Sequence, residues 1–198
     1  MALRLKAVDV VTVGVGLTGA ILGKELAATG LKVVGIERGP LRDTVPDFQS
    51  PAIHDELRFA VRKALTQDNV REAMTFRNAQ HQTALPMRRW QGFMPGTGLG
   101  GAAVHWYGQT YRFQPADFIY RTHLEQRYGK SFVDPELSIQ DWGVTYDELE
   151  PHYDRFEYLC GTSGRAGNIK GRIQPGGNPF EGPRSRDYPT PPMKPSEP

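Results

Sequence analysis

The stretch from Val8 to Gly39 constrains this chain more than any other. It runs Val8-Asp9-Val10-Val11-Thr12-Val13, then Gly14-Val15-Gly16-Leu17-Thr18-Gly19, and after a helical segment Val33-Val34-Gly35-Ile36-Glu37-Arg38-Gly39. The first run predicts a strand buried on both faces. Leu17 to Thr29 predicts a helix, with Gly30 placed to terminate it, and Val33 to Ile36 predicts a second buried strand. Gly14, Gly16 and Gly19 fit the G-x-G-x-x-G pattern of a dinucleotide fold. Gly14 permits a sharp turn, Gly16 clears the backbone for a pyrophosphate, and Gly19 lets the helix approach the strand. Leu17 and Thr18 open the helix, where backbone N–H groups and the helix dipole favour an anion. Glu37 stands where a carboxylate accepts hydrogen bonds from an adenosine ribose, which favours FAD or NAD over NADP. The motif does not separate FAD from NAD.

A chain of 198 residues is long enough for one ordinary domain or slightly more. Its 22 Gly and 16 Pro imply much loop, and a net charge of +2 gives no electrostatic case for nucleic acid. Cys160 is the only cysteine, which excludes an internal disulfide framework and a multi-cysteine metal site. No apolar run is long enough to span a bilayer, and Met1 to Ala7 is too short for a secretory signal. No compartment follows from these features. Export would need another subunit.

Further along, Ala52 to Met74 predicts a helix, with Ile53, Leu57, Ala60, Val61, Ala64 and Leu65 at helical spacing. Thr75 to Arg89 is polar and without a clear period. A second glycine loop follows: Gly96-Thr97-Gly98-Leu99-Gly100-Gly101-Ala102-Ala103-Val104-His105-Trp106. Its glycines allow close backbone approach, and the two alanines keep a channel open. His105 and Trp106 then supply a ring nitrogen and a flat aromatic. Tyr111-Arg112-Phe113 resembles a strand, and Gln114 to Phe118 a turn into a short helix. Tyr128 to Asp141 is loop-like. Thr145 and Glu148 form a capping box, so a helix starts near Thr145 and ends near Gly161. Beyond Gly161 the chain is rich in Gly, Pro and charge and cannot bury a core of its own.

Taken together these stretches resemble the glucose–methanol–choline (GMC) oxidoreductases, most closely the bacterial flavoprotein subunits of gluconate, sorbitol and glucose dehydrogenases. The resemblance rests on the first glycine motif with Glu37-Arg38-Gly39 and on Gly98-Leu99-Gly100-Gly101-Ala102-Ala103-Val104-His105-Trp106. Asp141-Trp142-Gly143-Val144-Thr145-Tyr146-Asp147-Glu148-Leu149-Glu150-Pro151 and Tyr188-Pro189-Thr190-Pro191-Pro192-Met193-Lys194-Pro195 support it. It covers nearly the whole chain, as an N-terminal portion.

The resemblance implies an α/β, Rossmann-like FAD-binding core with a partial cap or substrate region. The cofactor-binding region is expected over 1–160, and a Gly/Pro-rich loop segment over 161–198 leads towards a C-terminal part. The implied activity is FAD-dependent oxidation of a hydroxyl on a sugar, sugar acid or polyol, with electrons passed to oxygen, a quinone or a cytochrome. The implied cofactor contacts are Gly14, Gly16, Leu17, Thr18, Gly19, Glu37, Arg38, Gly98, Gly100, Gly101, His105 and Trp106. The implied partners are a small exported subunit and a membrane cytochrome c, which would put the protein on the periplasmic face of the inner membrane. The commonest family pattern after the paired glycines has hydroxyl residues and then Asn. His105-Trp106 departs from it and looks like the pyranose oxidase type, which implies FAD bound covalently through His105. The bland alternative is a histidine that only touches the flavin or fills the core. The family's catalytic histidine near the C-terminus has no match here, so no catalytic residue is assigned. His54, His81, His123 and His152 lie in unrelated stretches. The competing readings are an NAD-linked Rossmann dehydrogenase and a non-catalytic flavin-binding module.

Overall fold

A computed structural model describes residues 5–43, 74–77, 79–86, 96–106 and 108–194, the side chain of His105 excepted. The helix predicted over 52–74 lies almost wholly outside the described residues. The chain divides into two compact units, Met1–Gly108 and Gln109–Pro198.

The first unit is built on the glycine-rich stretch. Strand β1 (Val10–Val13) and strand β2 (Val33–Ile36) pair in parallel, Val10 opposite Val33 and Val13 opposite Ile36. A parallel pair needs a crossover, and helix α1 (Leu17–Ala28) supplies it. Thr29 caps α1, and Gly30 follows with φ +91°, a left-handed conformation that suits glycine. At the opposite end from the glycine turn, Asp9 ties the strands together: its N–H donates to the Lys32 carbonyl, and its carboxylate accepts from the Lys32 N–H at 2.8 Å. Two short strands, β3 (Thr75–Phe76) and β4 (Leu85–Pro86), form an antiparallel pair in the stretch where no period was legible.

The prediction that β1 is buried on both faces needs correction. Val10 and Thr12 are half-buried, but Val11 is 50% exposed and Val13 88% exposed. Among the described residues β1 has one strand neighbour, β2, so the apolar run outstrips the cover that this unit provides.

The second unit opens with an extended segment at 109–113, which forms no strand despite its pattern. Helix α2 (Pro115–Phe118) starts with a capping box between Gln114 and Asp117. Helix α3 (Tyr120–Tyr128) has no apolar stripe to announce it; an i,i+4 Arg121–Glu125 pair and Gly129, φ +90°, at its end were its only signals. Helix α4 (Tyr146–Cys160) has the predicted Thr145–Glu148 capping box and ends at Gly161 in the left-handed region. The core is aromatic: buried Phe118 meets Phe113, Trp142 and Tyr146 at ring separations of 6.3, 5.5 and 6.3 Å. The last stretch carries strands β5 (Asn168–Ile169) and β6 (Arg172–Ile173).

That last stretch is held by charge. Glu150, Asp154 and Glu157 share one face of α4 and engage three consecutive residues. Glu157 takes Arg184, Glu150 takes the N–H and hydroxyl of Ser185, and Asp154 takes Arg186. From the extended segment, Arg112 binds Glu157 through two nitrogens at 2.9 and 2.8 Å and Glu150 through a third at 2.9 Å. Burial alone would lower the Arg112 pKa. The two carboxylates more than reverse this, and the pKa is raised. A strand at 111–113 would project alternate side chains; here the segment is placed by the guanidinium instead.

Candidate functional site

The site grows from the end of β1. Gly14 leaves the strand with φ +91°, and its N–H donates to the Ile36 carbonyl at 2.7 Å. Gly16 is the N-cap of α1 in extended conformation. No side chain caps the helix, and no acidic residue stands in its first turn. The first helical bond runs from the Ala20 N–H to the Gly16 carbonyl, at 2.9 Å. The N–H groups of Leu17, Thr18 and Gly19 therefore have no intrahelical acceptor, and the positive end of α1 is open to an anion. Gly19 fits α1 to the turn: a Cβ there would stand within 3.0 Å of the Gly14 carbonyl oxygen.

The second glycine loop meets the first. Gly100 donates its N–H to the Val15 carbonyl at 2.7 Å, and Gly16 and Gly100 form an isolated parallel bridge. A Cβ on Gly101 would lie 3.1 Å from the Gly16 Cα. Gly98, Gly100 and Gly101 have φ values of +134°, +96° and +55°, so this loop follows a path that L side chains rarely allow. The loop then winds into a 3-10 turn, Gly101–His105, and leads to Trp106.

Glu37 lies at the junction. One carboxylate oxygen accepts from the Val15 N–H at 2.8 Å and the other from the Gly39 N–H at 3.1 Å. The Val15 bond is the main reason that the carboxyl is held below the usual carboxylate range. Ionised Glu37 has lone pairs beyond these two bonds. Arg38 is exposed beside it.

A cavity of about 980 Å³ begins at this junction. Gly14, Gly16, Leu17, Thr18 and Gly19 form one end. Val10 to Val13 of β1 with Leu22 and Leu26 of α1 form an apolar wall, and Ala102, Ala103 and Trp106 border the other side of a hollow that is open to solvent. The volume suits a large, partly apolar ligand. Of the residues assigned from sequence, Gly14, Gly16, Leu17, Thr18, Gly19 and Trp106 line the cavity. Glu37, Gly98, Gly100 and Gly101 build the loops beside it. The covalent role expected of His105 concerns a side chain outside the described residues. The β1 residues and Leu22 and Leu26 were missed as cavity lining, because their pattern reads as plain core.

No family model matches the chain. Over 197 residues it is 48% identical to the gluconate 2-dehydrogenase flavoprotein of Pantoea cypripedii, a match covering 98% of this chain and 32% of that protein. Over 184 residues it is 27% identical to the fructose dehydrogenase large subunit of Gluconobacter japonicus, covering 87% and 30%. It is also 29% identical over 161 residues to the 2-methyl-1,2-propanediol dehydrogenase of Mycolicibacterium austroafricanum, covering 81% and 25%. The chain thus spans a third or less of the length of these curated relatives. All three are named as dehydrogenases and one as a flavoprotein, so the chain resembles part of a dehydrogenase.

Among the described residues no cluster of His, Cys, Asp and Glu is arranged to hold a metal ion, and no helix is long and apolar enough to cross a membrane.

Proposed function

We infer that this chain is the FAD-binding portion of a GMC-type dehydrogenase that oxidises a CH–OH group of a sugar, sugar acid or polyol, gluconate being the leading candidate. The observation that carries this is the meeting of two bare-backbone loops, at Gly16 and Gly100–Gly101, over a cavity large enough for a dinucleotide. Similarity to a protein named as a gluconate dehydrogenase flavoprotein supports the choice of flavin over nicotinamide.

The residues fit the group. The N–H groups opening α1 would face the pyrophosphate, Glu37 would accept from the adenosine ribose, and Trp106 with Ala102 and Ala103 would border the apolar part of the cofactor. When bound, FAD supplies a hydride acceptor for the alcohol carbon. The core is proposed to be a parallel, Rossmann-like sheet begun by β1 and β2. An exported small subunit and a membrane cytochrome c are the proposed partners.

The test is equilibrium binding of FAD and of NAD to the purified chain, followed by flavin fluorescence. FAD should bind, and NAD should not displace it at equal concentration. Binding of NAD alone would move the assignment to the nicotinamide dehydrogenases. Acid precipitation of the longer protein tests His105: flavin retained in the pellet supports a covalent link, and flavin wholly in the supernatant ends that idea.

A further inference from the structure

We propose that Glu37 is a positioning residue that locks the two glycine loops together before any ligand arrives. The usual task of a carboxylate at the end of such a strand is to contact a ribose. Here it is also one link in a closed circuit of bonds. The Val15 N–H donates to one oxygen of Glu37, and the Gly39 N–H donates to the other. One residue beyond Gly39, the Pro40 carbonyl accepts from the Leu99 N–H at 3.1 Å. The next residue, Gly100, returns the circuit by donating to the Val15 carbonyl at 2.7 Å.

Three loops distant in sequence are therefore joined through one side chain and their own backbones. Packing between them is too tight to leave slack. A Cβ on Gly39 would lie 2.5 Å from the Gly98 Cα, and one on Gly98 would lie 2.8 Å from the Pro40 carbonyl oxygen. Bonds to an ionised acceptor are stronger than neutral ones, so the Glu37 charge stiffens the whole circuit. Its spare lone pairs let it serve a ribose as well. The inference rests on the FAD reading only for what the loops hold; the circuit exists in the protein alone.

The test is amide hydrogen exchange on the ligand-free chain. Glu37→Gln keeps the side-chain size but removes the charge and one of the two acceptors. Protection at Leu99 and Gly100, some sixty residues away in sequence, should fall on the order of tenfold. Asp9→Asn, which weakens the corresponding tie at the other end of β1 and β2, should leave those two amides unchanged. Unaltered protection at Leu99 and Gly100 in Glu37→Gln, with α1 still protected, would overturn the proposal. If Glu37→Gln does not fold, Glu37→Asp decides in the same way, because its shorter carboxylate cannot reach both N–H groups. A ligand comparison separates positioning from ribose contact. With FAD lacking the adenosine 2′ and 3′ hydroxyls, a positioning role predicts that Glu37→Gln still weakens binding, and a ribose-only role predicts no further loss. Failure of wild-type protein to bind FAD would refute the cofactor reading and leave the exchange result standing.

Discussion

Gly19→Ala should destabilise the first unit, although helix propensity alone says the opposite. Alanine in a helix is favoured over glycine by about 0.8–1 kcal/mol. That gain is available only where a methyl fits. At Gly19 the added carbon would come within 3.0 Å of the Gly14 carbonyl oxygen and 3.2 Å from the Gly14 carbonyl carbon. Both are backbone atoms of a turn fixed by its bond to Ile36, so neither can swing aside. Helix α1 must back away from β1, an overpacking cost of about 1–3 kcal/mol. Set against the propensity gain, the expected net change is a loss of up to about 2 kcal/mol. Gly23, one turn later in α1, is the internal control, since a Cβ there meets nothing within 4 Å. Gly23→Ala should stabilise by about 0.5–1 kcal/mol. Urea unfolding read by hydrogen exchange at α1 and β1 isolates this unit from the other. Equal stabilisation by both substitutions would refute the close approach of α1 to the turn.

Gly16→Ala separates fold from ligand. Its Cβ would have only contacts of 3.9 Å or more, and its φ of −77° suits any residue, so unfolding should be unchanged. The methyl would still obstruct close approach of a pyrophosphate, so FAD affinity should drop at least about tenfold by titration. In the second unit, Glu157→Gln leaves half-buried Arg112 and buried Arg184 without their shared charge. Breaking such a pair costs about 3–5 kcal/mol, seen as lost protection in α4 and the 184–187 segment. The same unit should lose stability in acid. Arg186 holds Asp154 below the usual carboxylate range. Burial opposes ionisation of Glu150, but the bonds from Arg112 and Ser185 outweigh it and lower its pKa as well. Depressed folded-state values contribute stability that is complete above the ordinary carboxylate range and disappears as pH falls through the lowered values. Unfolding midpoints should be flat near neutrality and fall below about pH 4. A midpoint that rises on acidification would contradict the ion-pair geometry.

The opening of the first unit was legible because its signals are local. Glycine spacing, a β-branched run and a following helix announce the β1–α1–β2 stretch within thirty residues. The capping box at Thr145 likewise specifies the start of α4 from two side chains. What escaped sequence reading depends on partners far away in the chain. Arg112 sits in an apolar pattern that resembles a strand, yet its conformation follows from carboxylates at 150 and 157. Helix α3 lacks an apolar face, so periodicity had nothing to detect. The exposure of Val11 and Val13 was unreadable for another reason: hydrophobic patterning reports what a strand is suited to bury, and the cover is a separate matter. For the site, the glycines and Glu37 were visible as residue types. That Glu37 would bond Val15 and Gly39, and that Leu99 and Gly100 would complete the circuit, required three dimensions.

The acidic stripe on α4 also has a consequence in time. A ribosome releases Glu150, Asp154 and Glu157 about thirty residues before Arg184, Ser185 and Arg186. Until those arrive, the nascent helix lacks Arg184 and Arg186, two of the partners of its three negative charges. Docking of the 184–186 segment thus neutralises the helix, and this unit should not settle before Arg184 and Arg186 clear the exit tunnel.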